Sequence, residues 1–149
     1  MKQFAFRLEK VLELRKYSEE ETKLELGRAI GVLAELENRI QLVGQERMRA
    51  AAAQFSPGNS AAQIQQYMFY LIRLDNTKEQ LLKDAALAEL KVEQAREAFL
   101  EASRELKVLE KIKEKQQKEY RKEVFAEETK NLDDISSGAP ARNYVTGSE

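Results

Sequence analysis

The side chains in this sequence that could serve as general acids or bases are chiefly carboxylates. Their densest groupings are Glu19-Glu20-Glu21 and Asp133-Asp134. A pair of carboxylates can perform general acid–base work when burial pushes their pKa values apart, which requires a desolvated pocket. The chain contains no His and no Cys. It therefore has no imidazole base, no thiolate nucleophile and no imidazole or thiolate metal ligand. Its six glycines are isolated and no phosphate-cradling GxxxxGK[ST] loop occurs. Carboxylates interleaved with Lys and Arg are the ordinary dress of a solvated helix face. The expectation is a non-enzyme with no cofactor and no metal.

Two other stretches have the composition of contact surfaces. Tyr67-Met68-Phe69-Tyr70-Leu71-Ile72-Arg73-Leu74 is apolar around a full helical turn. A single neighbouring helix covers one stripe, so Met68, Phe69, Tyr70 and Ile72 are left for a partner or for packing under the turn at Phe55. The second stretch, 111–122, holds Lys111, Lys113, Lys115, Lys118, Arg121 and Lys122 against Glu114 and Glu119. Such an excess suits an acidic protein surface or a solvated face. Only Tyr120 accompanies it, so no aromatic platform for nucleic acid is present.

The elements that must carry these residues follow from composition and periodicity. Charged residues make up 34% of the 149 and aromatic ones 7%, and basic and acidic side chains nearly cancel at 25 and 26. This is the profile of long helices, with no bulk charge to attract nucleic acid or a membrane. No apolar run approaches the roughly 20 residues of a bilayer span, and Phe4–Leu14 is too charged for a secretory leader. Absence of Cys agrees with a reducing compartment, so a cytoplasmic protein is expected.

A 3-4 apolar repeat runs through Ile64, Tyr67, Leu71, Leu74, Lys78, Leu81, Ala85, Ala88, Val92, Ala95, Phe99, Ala102, Leu106, Leu109, Lys113, Gln116 and Tyr120. A shorter one joins Leu26, Ala29, Leu33, Leu36, Ile40 and Val43. Towards Phe4 it loosens, with Arg15, Glu19 and Thr22 interrupting. Pro57 and Gly58 break the helix between the two repeats, and Ser60 with Gln63 has the spacing of a capping box. The expected fold is all-α: an antiparallel coiled-coil hairpin over residues 1–135. It has helix one at about 4–54, a turn at 55–60 and helix two at about 61–134, with a disordered tail over 136–149. Folding about the turn sets Val43 near Leu71, Leu33 near Leu81 and Ala29 near Ala85. Helix one then runs out opposite Leu109 to Lys111. At 1.5 Å per residue helix two overhangs by about 30 Å on a rod of about 100 Å. Gly27 and Gly31, outside the seam, mark either flexibility or a close neighbour.

The phrase Phe4-Ala-Phe6-Arg-Leu8-Glu-Lys-Val11-Leu12-Glu-Leu14-Arg15 resembles the opening of the flagellar export protein FliJ family. The stretch Tyr70-Leu71-Ile72-Arg73-Leu74 is similar to that family's aromatic-led second helix. The close, from Tyr120 to Lys130-Asn131-Leu132-Asp133-Asp134-Ile135, resembles its K-x-L-D-E-I-like ending, with Asp134 where Glu is common. The resemblance implies a cytoplasmic, non-catalytic component of the flagellar type III export apparatus, shaped like the two-helix stalk of a rotary ATPase γ subunit. It further implies binding to the export ATPase FliI and the export gate protein FlhA, escort of export chaperones, and peripheral membrane association through these partners. On this reading Phe4, Leu8, Val11, Arg15, Lys113, Lys118, Tyr120, Arg121 and Lys122 face the ATPase, and Met68, Phe69, Tyr70 and Ile72 face the gate. The alternatives that the residues alone leave open are a generic coiled-coil adaptor or self-assembling scaffold and a holdase chaperone.

Overall fold

The computed structural model describes residues 2–138. Two helices, α1 (Glu9–Gln54) and α2 (Ala61–Gly138), pack against each other as an antiparallel hairpin. The chain divides into two compact units, Tyr17–Ser103 and Met1–Lys16 with Arg104–Glu149.

In the unit Tyr17–Ser103, both repeats face inward. Leu26, Ala29, Leu33, Leu36, Ile40 and Val43 of α1 and Ile64 through Ala102 of α2 are all buried or half-buried. The deepest apolar positions are small: Ala50, Ala85, Ala88, Val92 and Ala102. A seam of alanines supplies little apolar area per residue, so this core draws its strength from length rather than from bulk. Thr22, which interrupts the apolar repeat, turns its hydroxyl back to the carbonyls of Ser18 and Glu19 at 2.9 Å each, so no hydroxyl is stranded.

The reversal is built from side-chain caps. Gly58 takes φ 93°, where a Cβ would be strained. The Asn59 amide donates to the carbonyls of Ala53 at 2.8 Å and Gln54 at 3.1 Å, satisfying acceptors that the end of α1 leaves orphaned. The expected capping box is formed: Ser60 N–H donates to Gln63 Oε1 at 2.8 Å, and Gln63 N–H donates to Ser60 Oγ at 3.2 Å.

Across the hairpin Ala29 shares a groove with Ala88 and Ala95, Arg47 reaches Asp75 and Tyr70 reaches Glu46. The connection folds back on α1 through Ser56 N–H to Ala53 O and the Asn59 bonds before α2 begins.

The unit Met1–Lys16 with Arg104–Glu149 departs further from expectation. Helix one was expected from about residue 4, yet α1 starts at Glu9 and the preceding residues are not helical. The spacing of Phe4 and Phe6 explains this. In a helix they would point about 200° apart, whereas in extended chain i and i+2 share a face. Phe6 is buried with Leu12 and Leu106, and Phe4 and Leu109 pack against this cluster. Leu12, 1% exposed, is its centre.

Extended chain advances about 3.3 Å per residue against 1.5 Å in a helix. The segment before Glu9 thus reaches Tyr120, well beyond the expected end opposite Leu109 to Lys111. The unpaired end of α2 starts after Tyr120, and 121–138 is exposed apart from half-buried Val124. Ser136–Gly138, expected in a tail, continue α2, and the rest of that expected tail, 139–149, lies outside the described residues.

Candidate functional site

Within the unit Met1–Lys16 with Arg104–Glu149, the chain before Glu9 and the facing turns of α2 frame a groove of about 370 Å³. It is lined by Phe4, Ala5, Phe6, Glu9, Lys113 and Gln117. The Phe4 and Tyr120 rings lie 5.6 Å apart, tilted by 47°. The Tyr120 hydroxyl donates to the Lys2 carbonyl at 2.7 Å, pinning the extended segment along α2.

Lys113, a polar position in the apolar repeat, is answered across the hairpin. Its Nζ lies 2.8 Å from Glu9 Oε2 and 6.0 Å from the Phe6 ring centroid. Arg15 is answered likewise by Glu105 at 2.6 Å. Gln116, expected in the seam, is exposed, and Gln117 takes the half-buried place. Lys118 pairs along its own helix with Glu114 at 3.2 Å. Leu8 and Val11 lie on the exposed side of the cluster, and Arg121 and Lys122 stand on the unpaired turns.

The nine residues assigned to the ATPase therefore share one unit but divide by role. Phe4, Arg15, Lys113 and Tyr120 are engaged in holding the chain ends together. Leu8, Val11, Arg121 and Lys122 present side chains outward. Lys118 stands between the two groups, exposed but tied to Glu114. Such half-exposed ion pairs contribute about 0–1 kcal/mol each, so they fix register more than stability. Phe6, buried in the cluster, is a further residue of this site, and the F-x-F spacing is its signal in the sequence.

A second constellation lies in the unit Tyr17–Ser103. Met68, Phe69 and Ile72 are exposed, Phe69 by 60%, and Phe55 stands 80% exposed. Packing under the Phe55 turn is therefore not how these residues are used. Tyr70 is different: it is half-buried, and its hydroxyl donates to Glu46 Oε1 at 2.8 Å. Arg49 grips the same carboxylate through both oxygens, at 2.5 and 2.9 Å. These two donors, Arg49 first, hold the Glu46 carboxyl at about 2. Arg47 bonds Asp75 at 2.5 Å and lowers the Asp75 pKa in the same way. An ordered polar girdle thus sits beside the apolar patch of Met68, Phe69 and Ile72.

In this second constellation the Glu46 and Asp75 carboxylates are held ionised by cations. Among the described residues no cluster of acidic side chains is placed to hold a metal ion. No described helix is long and apolar enough to cross a membrane.

No solved structure matches the chain. Over 140 residues it is 26% identical to the flagellar FliJ protein of Bacillus subtilis (strain 168), covering 89% of this chain and 92% of the relative. The family model described as flagellar FliJ protein matches residues 3–144. That span takes in both helices and both constellations, and the chain belongs to the flagellar FliJ family, a family of flagellar protein export components.

Proposed function

We propose that this protein is a non-catalytic rod of the cytoplasmic face of the flagellar export apparatus, stimulating the export ATPase through the unit Met1–Lys16 with Arg104–Glu149. The observation that carries this reading is the pinned end itself. A rod can bias the nucleotide states of a ring only if it contacts them with different energies. A disordered end would lose that difference to ordering entropy. Here the Phe4–Tyr120 pair and the bond to the Lys2 carbonyl hold Leu8, Val11, Arg121 and Lys122 on a firm base. Rim cations of this kind mainly speed and orient encounter with an acidic surface.

The exposed Met68, Phe69 and Ile72 patch, steadied by the Glu46–Tyr70–Arg49 girdle, is the proposed contact for the export gate. Escort of export chaperones uses the same rod as a carrier. The direct test is a binding titration of the purified protein against the export ATPase. The paired changes Arg121→Glu and Lys122→Glu should weaken binding by about tenfold or more and slow association, as expected for steering charges. Unchanged affinity and association rate would remove this surface from the ATPase contact.

A further inference from the structure

The unpaired turns of α2 combine an apolar stripe with a segregated charge pattern. Phe125, Leu132 and Ile135 are each about 70% exposed. At 100° per residue they fall within about 80° of one another, the width of a helix face that is normally covered. Arg121 and Glu128 lie on that same face by the same count, and half-buried Val124 borders it. Residues 111–122 carry six basic and two acidic side chains, whereas 123–134 carry five acidic and one basic. The excess is therefore +4 in one stretch and −4 in the next.

Such a segment is complementary to itself only when reversed. Two copies laid antiparallel set Lys118, Arg121 and Lys122 of each against the acidic stretch around Glu127, Glu128, Asp133 and Asp134 of the other. Phe125 of each copy then meets Phe125 of the other about a two-fold axis, and Leu132 and Ile135 lie along the aliphatic stems of Arg121 and Lys118. A parallel pair would set like charges together and is disfavoured. An arbitrary acidic surface would answer only one half of the pattern, and it would leave the acidic half facing its own sign.

We infer that the exposed end of α2, from Lys118 to Ile135, is a self-docking surface whose occupant is the same segment of a second copy. The pairing covers about 27 Å of helix. So short a contact buries less than the roughly 1,200 Å² of a stable complex, so the dimer is weak, reversible and salt-sensitive. It occupies Arg121 and Lys122, and on the ATPase reading above a paired molecule is a stored one. The pairing itself does not depend on that reading.

The test is sedimentation equilibrium of the full chain at rising concentration, without any ATPase. It compares the wild type with two variants. Lys118→Glu, Arg121→Glu and Lys122→Glu make one segment acidic throughout; Glu127→Lys, Glu128→Lys and Asp133→Lys make the other basic throughout. All six positions are exposed, so helicity by circular dichroism should be unchanged. The wild type should shift towards twice its mass by about 1 mM, a weak-complex concentration. Each variant alone should remain single at that concentration, and an equimolar mixture of the two should pair again. Phe125→Ser with Leu132→Ser should also abolish the shift. A wild type that stays monomeric overturns the inference. So do variants that pair as well as the wild type, a mixture that fails to pair, or a shift lost on Phe69→Ser with Ile72→Ser instead.

Discussion

Tyr120 donates its hydroxyl hydrogen to the backbone carbonyl of Lys2 at 2.7 Å, across a sequence separation that spans most of the chain. This bond, with the Phe4 ring beside it, makes the extended start of the chain a third strip of packing on α2. The seam that α1 abandons at Glu9 is continued by chain that is not helical.

Loosening that strip should have graded effects. Phe6→Ala removes a buried aromatic from the Leu12–Leu106 cluster and should cost about 3 kcal/mol or more. Tyr120→Phe keeps the ring and loses one exposed hydrogen bond, a cost of about 0.5–1.5 kcal/mol. Hydrogen exchange at residues 2–12 should accelerate in both variants, far more in Phe6→Ala.

This end is also where sequence and structure diverge most. Arg15, Glu19 and Thr22 weaken the heptad signal; Arg15 is answered by Glu105 and Thr22 by the Ser18 and Glu19 carbonyls, and Lys113 in the facing repeat is answered by Glu9. Such pairings have no periodicity to read. The α2 repeat, in contrast, was legible from Ile64 to Tyr120 apart from Gln116, because burial by one neighbour imposes one period. The Ser60–Gln63 box was legible because it is local. The bonds from Asn59 to the Ala53 and Gln54 carbonyls were not, because they depend on the folded path of the turn. Among the proposed contacts, the exposure of Met68, Phe69 and Ile72 followed from their places outside the stripe, whereas the bond from Tyr70 to Glu46 needed the facing helix.

Among the described residues nothing lies within 4 Å of where a Cβ would stand at Gly27 or Gly31, and neither has positive φ. Close approach of another described residue is therefore not their reason. Replacing each by Ala should stabilise the helix by about 0.5–1 kcal/mol without steric cost, raising the thermal midpoint of the unit Tyr17–Ser103. Destabilisation by either change would show that the open space is used.

The carboxyl of Glu46, held at about 2 by Arg49 and then by Tyr70, links the patch-bearing region to pH. A carboxyl whose folded pKa lies below its unfolded value of about 4.3 stabilises the fold fully above that value. The contribution is lost as pH falls towards about 2, and Asp75 beside Arg47 acts in the same direction. Local order around Tyr70 should therefore decline over that window. Glu46→Gln should flatten the decline, and Tyr70→Phe should move the Glu46 titration, followed by carboxyl carbon NMR, to higher pH. A Glu46 signal titrating at the ordinary value would refute the girdle.

For the gate contact, Phe69→Ser and Ile72→Ser change exposed side chains and should leave helicity within experimental error. Binding to the export gate protein should fall by about tenfold or more, as for apolar anchors at the centre of an interface. Unaltered gate affinity in a folded variant would exclude the patch.

The measurement closest to the central claim is ATP turnover by the purified export ATPase, titrated with this protein and with a version ending before residue 111. The account predicts saturable stimulation at a low ratio of rod to ring by the full chain, and its loss on truncation while the unit Tyr17–Ser103 stays helical. Stimulation that survives the truncation, or turnover indifferent to the full chain, would contradict it.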